Sequence, residues 1–129
     1  TYDVSLPLKD MEGYIAEVKA NLTQQWPDHT CMIFGHLGDG NLHVIVGMGS
    51  DSAESRRAVE HAVYDPLRAR GGSVSAEHGV GLEKRPYLHF TRSADEIATM
   101  RLIKQTLDPK GILNPGKIFE AQPLAQAAE

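Results

Sequence analysis

Asp39-Gly40 stands between two apolar runs, CMIF at 31–34 and NLHVIV at 41–46, and this placement constrains the fold more than any other feature of the chain. Asp-Gly accepts the positive φ angles of a tight hairpin turn, so the two runs are expected to pair as antiparallel strands. With the turn centred on 39–40, Gly38 faces Asn41, Leu37 faces Leu42 and His36 faces His43. Directly opposed residues share a sheet face, with Cβ atoms about 4.5–5.5 Å apart. Two imidazoles that close repel when both are protonated, but as neutral rings they can hold a divalent metal. A lone histidine beside a loop is more often an ordinary polar residue. A pair on one face beside a tight turn is a candidate metal or catalytic site.

The flanking patterns give the rest of the fold. Residues 2–8 alternate, with Val4 and Leu6 on one face, and predict a short strand. Residues 9–25 carry Met11, Tyr14, Ile15, Val18 and Leu22 at helical spacing, closed by Trp26-Pro27. Residues 30–34 and 41–48 are the hairpin strands. Residues 52–70 form a second amphipathic helix, with Asp65-Pro66 predicting a kink or break and Gly71-Gly72 ending it. A last short strand is expected over 73–76. The order βαββαβ is that of an α+β, ferredoxin-like split βαβ domain with an antiparallel sheet.

Beyond it the pattern changes. GVGLEKRPYLHF reads as a loop leading into a short helix, and 94–107 as a helix with Ile97, Met100, Ile103 and Leu107 on one side. DPKGILNPGKIF, punctuated by Pro109, Gly111, Pro115 and Gly116, is apolar yet must be irregular. Residues 120–129 read as a flexible tail, which leaves 1–119 as the domain.

Charge and cysteine usage exclude several functions. The formal net charge is −4 and the basic residues are scattered, so no nucleic-acid surface is expected. Cys31 is alone, which rules out an internal disulfide and fits a reducing compartment. No run approaches the roughly 18 apolar residues that span a bilayer, and no leader is read. The expected location is therefore the bacterial cytoplasm or the mitochondrial matrix. The abrupt start on TYDVSLPL suggests a piece of something longer.

A second constellation, SAEHGVG, sets Glu77 beside His78 with two glycines within the next three residues. In extended backbone the two side chains point to opposite faces, but a turn could aim both at one cavity. His36, His43 and Glu77 together offer two nitrogens and one oxygen, a set for zinc, iron or manganese with positions left open for substrate. Simple ferredoxin-like topology puts the last strand beside the first, not beside the hairpin. Pattern alone therefore does not bring Glu77 to the histidines.

GHLGDGNLH, SAEHGVGLEKRPYL and DPKGILNPGKIF, in that order, resemble the C-terminal part of the FAD-linked oxidases of the vanillyl-alcohol-oxidase type. The relevant branch contains D-lactate dehydrogenase, glycolate oxidase and D-2-hydroxyglutarate dehydrogenase. The resemblance implies a metal, zinc or manganese, held by His36, His43 and Glu77. It implies His78 as the acid/base at the flavin face, with Asp39 and Asn41 supporting the hairpin and the metal shell. It puts Asn114 and Lys117, in the LNPGK segment, on the cofactor side, and assigns most of the FAD contacts to a separate FAD-binding domain. The implied partners are that domain, a small 2-hydroxy-acid substrate and an electron acceptor. The hydroxyglutarate branch carries a lysine before Tyr-Asp and an asparagine two residues beyond the second histidine. Thr1 and Ile45 stand there in this chain, which leans the substrate expectation towards D-lactate or glycolate. Without its FAD domain the chain should not turn over substrate, and it should expose an apolar patch or self-associate through it.

Two other readings compete. The ligand types alone also permit a non-haem iron enzyme with a two-His, one-Glu triad, but such an enzyme has no use for LNPGKIF. A non-catalytic ferredoxin-like interaction module would make the histidines structural.

Overall fold

Three strands, β1 (Tyr2–Ser5), β2 (Thr30–His36) and β3 (Asn41–Gly47), pair antiparallel in the order β1-β3-β2. A single antiparallel bridge joins Ser5 to Ser73 on the outer side of β1. The computed structural model describes residues 1–49 and 52–120 and divides into two compact units, Thr1–Gly79 and Val80–Glu129. The first unit keeps the ferredoxin-like order, but the strand expected over 73–76 is reduced to that one bridge. The reason lies in where its backbone donors go. The N–H of Ser75 turns back to Ser73 Oγ, and those of Ala76, Glu77 and His78 go to the Asp3 carboxylate instead of a ladder.

The hairpin forms, but not with a two-residue turn. Leu37–Asp39 make a 3-10 turn closed by Gly40 in the left-handed region (φ 69°), so His36 pairs with Asn41 and Phe34 with His43. Glycine is required at 40 both by that positive φ and by the close approach of Leu6. A Cβ would sit 2.5 Å from the Leu6 carbonyl oxygen, and the Gly40 carbonyl accepts the Leu6 N–H. The expected register is off by two residues, and because side chains alternate with period two, His36 and His43 stay on one face as diagonal neighbours.

Helix α1 (Met11–Gln25) follows a 3-10 turn at Leu8–Asp10, so it begins two residues later than its periodicity suggests. Helix α2 (Ala53–Tyr64) starts at a Ser52/Ser55 capping box. It gives way at Asp65-Pro66 to a 3-10 segment ending on Gly71, the break that proline dictates. Both helices cover one face of the sheet. Val4, Leu42 and Val44 from the strands and Leu6 just beyond β1 join Tyr14, Val18, Leu22, Val59, Val63 and Leu67 in the core, all buried. Each large apolar side chain so buried contributes about 1.5–3 kcal/mol. The Tyr14 hydroxyl donates to the Val63 carbonyl (3.0 Å), and Arg70 pairs with Glu17 (2.7 Å), tying α1 to the α2 region. Burial pushes the Tyr14 phenol far above its usual range.

In the second unit a 3-10 segment (Arg85–Phe90) precedes helix α3 (Ala94–Leu107), which a Ser93/Glu96 capping box starts. The Ser93 backbone N–H holds the Glu96 carboxyl below its ordinary range. No residue of α3 is buried. Ile103 and Leu107, expected on one side of the helix, are exposed, as are Ile112 and Leu113. Residues 108–119 are irregular as expected, and residues 121–129 of the expected tail lie outside the described residues. No described helix is long and apolar enough to cross a membrane.

Candidate metal and active site

Strand β3 alternates. Leu42 and Val44 point into the core under the helices, while Asn41, His43 and Ile45 point to the opposite face. On that face His43 is largely buried, packs its ring against Phe34 (centroids 5.4 Å) and meets His36 edge-on (5.6 Å). His78 stacks on the other side of His43, with centroids 5.4 Å apart and planes 19° from parallel.

Three imidazoles converge on one carboxylate oxygen. Glu77 Oε1 lies 3.3 Å from His43 Nε2, 3.7 Å from His78 Nε2 and 3.9 Å from His36 Nε2. The expected ligand residues and the expected acid/base therefore stand together. Ligand atoms of Asp3, His43, Glu77 and His78 all lie within 4.8 Å of one another. His36, exposed at the rim, stands outside that tighter set.

Asp3 is the residue that sequence reasoning missed, and it explains how Glu77 reaches the histidines. It sits opposite His43 in the β1–β3 ladder and is 1% exposed. Its Oδ2 accepts the N–H groups of Ala76 (3.0 Å), Glu77 (3.0 Å) and His78 (2.9 Å) and the Ser75 hydroxyl (3.3 Å). One carboxylate thus folds the 75–78 segment over the edge of β1, the single strand separating it from β3. Its Oδ1 lies 3.8 Å from His43 Nδ1. The signal was present: aspartate is depleted in strand interiors, so an Asp one residue before a core valine needs a reason.

The supporting residues divide. Asn41, buried opposite His36, keeps an Oδ1 with no hydrogen-bond partner among the described residues, an acceptor facing the same side as the cluster. Asp39 stands exposed in the 3-10 turn and makes no hydrogen bond or ion pair among the described residues. Asn114 and Lys117 belong to the second unit, where Asn114 adopts the left-handed conformation (φ 48°). Arg85 donates to the Gly116 carbonyl and the Ile118 N–H to Gly81, holding the LNPGK segment within that unit.

The donor chemistry fits a small divalent cation. Ligands about 2.0–2.1 Å from a tetrahedral zinc lie about 3.3 Å from one another, and two imidazole nitrogens with a carboxylate form a familiar open-site set. The 3.3 Å separation of His43 Nε2 from Glu77 Oε1 matches that spacing, while His78 Nε2 at 3.7 Å and His36 Nε2 at 3.9 Å stand wider and would close in on a bound ion.

Residues 1–118 match the family of FAD linked oxidases, C-terminal domain, and the chain belongs to that family. Among individual proteins, it is 46% identical over 123 residues to the D-2-hydroxyglutarate dehydrogenase of Xanthomonas citri pv. viticola, covering 92% of this chain and 26% of that protein. It is 40% identical over 124 residues to the enzyme of the same name from Stutzerimonas stutzeri, covering 92% and 27%. The mitochondrial D-2-hydroxyglutarate dehydrogenase of Danio rerio is 39% identical over 116 residues, covering 90% and 21%. The chain spans about a quarter of the length of these curated relatives.

Proposed function

We propose that this chain is the metal- and substrate-bearing part of an FAD-dependent dehydrogenase that oxidises a D-2-hydroxy acid. The observation that carries the proposal is the convergence of His36, His43 and His78 on Glu77 Oε1 in a member of the FAD-linked oxidase family. The names of the relatives make D-2-hydroxyglutarate the first substrate to test. Thr1 and Ile45 give D-lactate and glycolate as the comparison substrates.

In this reading His36, His43 and Glu77 hold a divalent metal, zinc or manganese, which when bound supplies a Lewis acid for the hydroxyl and carboxylate of the substrate. FAD, when bound, supplies the two-electron acceptor for the α-hydrogen, leaving as hydride. Asn114 and Lys117 offer an amide and an ammonium to the cofactor, whose remaining contacts belong to the FAD-binding domain. His78 takes the hydroxyl proton at Nε2, the nitrogen facing the cluster, and its stacking on His43 fixes the plane of its ring. His43, on the central strand, sets the position of the whole cluster, and the buried Asn41 oxygen offers a further acceptor on the same face of the sheet. Met32, Phe34 and Leu37, exposed beside the histidines, form the apolar surface that the FAD-binding domain would cover, or through which the separated chain would self-associate. By likeness to its bacterial and mitochondrial relatives, the protein works in the bacterial cytoplasm or mitochondrial matrix.

The test is an assay of the full-length flavoprotein on D-2-hydroxyglutarate, D-lactate and glycolate with an artificial electron acceptor. Turnover of one of them, falling about 10²–10⁴-fold in His78→Ala, supports the proposal. No turnover of any of the three, with FAD bound, contradicts it.

A further inference from the structure

We infer that Asp3 is a positioning residue that sets both the tautomer of His43 and the backbone carrying Glu77 and His78. This rests on the reading of the cluster as a metal site and extends it to a residue that lies outside the ligand set.

The two carboxylate oxygens face different ways. Oδ2 collects three consecutive backbone N–H groups, from Ala76 to His78, and the Ser75 hydroxyl. Three N–H groups converging on one oxygen fix the path of residues 76–78, which decides where the Glu77 and His78 side chains start. Oδ1 faces His43 from across the β1–β3 pair, 3.8 Å from Nδ1. That distance exceeds a direct hydrogen bond, so the coupling is electrostatic. A carboxylate buried beside one ring nitrogen favours a proton on that nitrogen over a lone pair. With the proton on Nδ1, Nε2 carries the lone pair that a metal needs; Glu77 Oε1, 3.3 Å from Nε2, competes for a proton there in the metal-free protein and turns from competitor to fellow ligand once a cation is bound. Only a nitrogen with its lone pair free can bind a metal, and carboxylates beside metal-binding histidines act in this way generally. Burial strengthens the effect, since Asp3 is 1% exposed and the His43 side chain 11%.

Asp3→Asn separates the two roles. An amide oxygen still accepts the N–H groups of 76–78, so the segment keeps its anchor. The amide NH₂ then faces Nδ1 as a donor and selects the opposite tautomer, with the proton on Nε2. A purely structural Asp3 would leave metal affinity unchanged in this variant.

The experiment uses the full-length protein, stripped of metal and titrated with zinc and with manganese, in wild type and Asp3→Asn, with circular dichroism and thermal melting as the check on folding. Affinity is expected to fall about 10–100-fold in Asp3→Asn while the melt stays near that of wild type. Equal affinity in the two proteins overturns the role of Asp3 alone. No metal bound by the wild type overturns the metal site and the role of Asp3 with it. ¹⁵N shifts of labelled histidine in metal-free Glu77→Ala, where no carboxylate faces Nε2, read the pull of Asp3 on the tautomer directly, whether or not Asp3→Asn folds. His43 protonated on Nδ1 supports the inference, and His43 protonated on Nε2 overturns it.

Discussion

Asp3 and Asp108 do the same local job in the two units with opposite surroundings. Asp3 gathers the N–H groups of residues 76–78 across more than 70 residues of chain, from inside a strand and beside a histidine cluster. Asp108 gathers the N–H groups of Ile112 (3.1 Å) and Leu113 (3.0 Å) from only four and five residues on. Its charge is met by Lys104 Nζ at 2.6 Å, and that ammonium also donates to the Leu113 carbonyl. The local carboxylate closes the turn that follows α3, one that could form early in folding, while its backbone N–H makes the last bond of the helix to Lys104. The long-range one joins the two ends of the first unit, and it fixes the backbone that carries Glu77 and His78. The same device closes a loop in one unit and gathers a histidine–carboxylate cluster in the other.

The largest expected effect is on Asp3→Ala. Three N–H groups lose their acceptor near a buried face, and global stability should fall by about 3 kcal/mol, read as a shifted urea midpoint with unchanged slope. Asp108→Ala should leave that midpoint in place and raise hydrogen exchange only at Ile112 and Leu113. Equal losses in the two variants would break the contrast. Next come the glycines at the two corners. Gly40→Ala combines a left-handed backbone with a collision against the Leu6 carbonyl and should cost about 2 kcal/mol or more. Gly111→Ala meets nothing within 4 Å and should cost only the left-handed penalty, about 1 kcal/mol.

Acid sharpens the comparison further. The Lys104 hydrogen bond and the N–H groups of Leu113 and Ile112 hold the Asp108 carboxyl below its ordinary range. A depressed carboxyl contributes stability that is full above its unfolded pKa and is lost as pH falls through the folded one. Protection of the Ile112 and Leu113 amides should therefore persist down through the usual carboxylate range and fail only below it. Asp108→Asn should remove that pH dependence. The smallest effect is at Cys31, whose thiol burial pushes up. It should react with disulfide reagents at pH 8 more slowly than a free thiol, faster in Asp3→Ala and unchanged in Asp108→Ala.

The sequence made the elements legible wherever periodicity, caps and prolines agreed: α3 at 94–107, the break at Asp65-Pro66 and the hairpin around Gly40. It did not reveal the four-residue turn, because Leu37-Gly38-Asp39-Gly40 suits both a tight turn and a 3-10 turn closed by glycine. The error was harmless to the site, since a shift of two residues preserves the face. The meeting of Glu77 with the histidines, implied by the family resemblance, was illegible in the residue pattern for a different reason. It depends on one buried aspartate bonding a segment more than 70 residues away, and nothing local to Asp3 or Glu77 encodes that contact.

Metal analysis of the full-length protein beside its His36→Ala/His43→Ala double variant tests the central claim most directly. Stoichiometric zinc or manganese in the wild type, lost in the variant while the FAD spectrum persists, is the predicted result. Equal metal in both proteins, or none in the wild type after either metal is added, would contradict it.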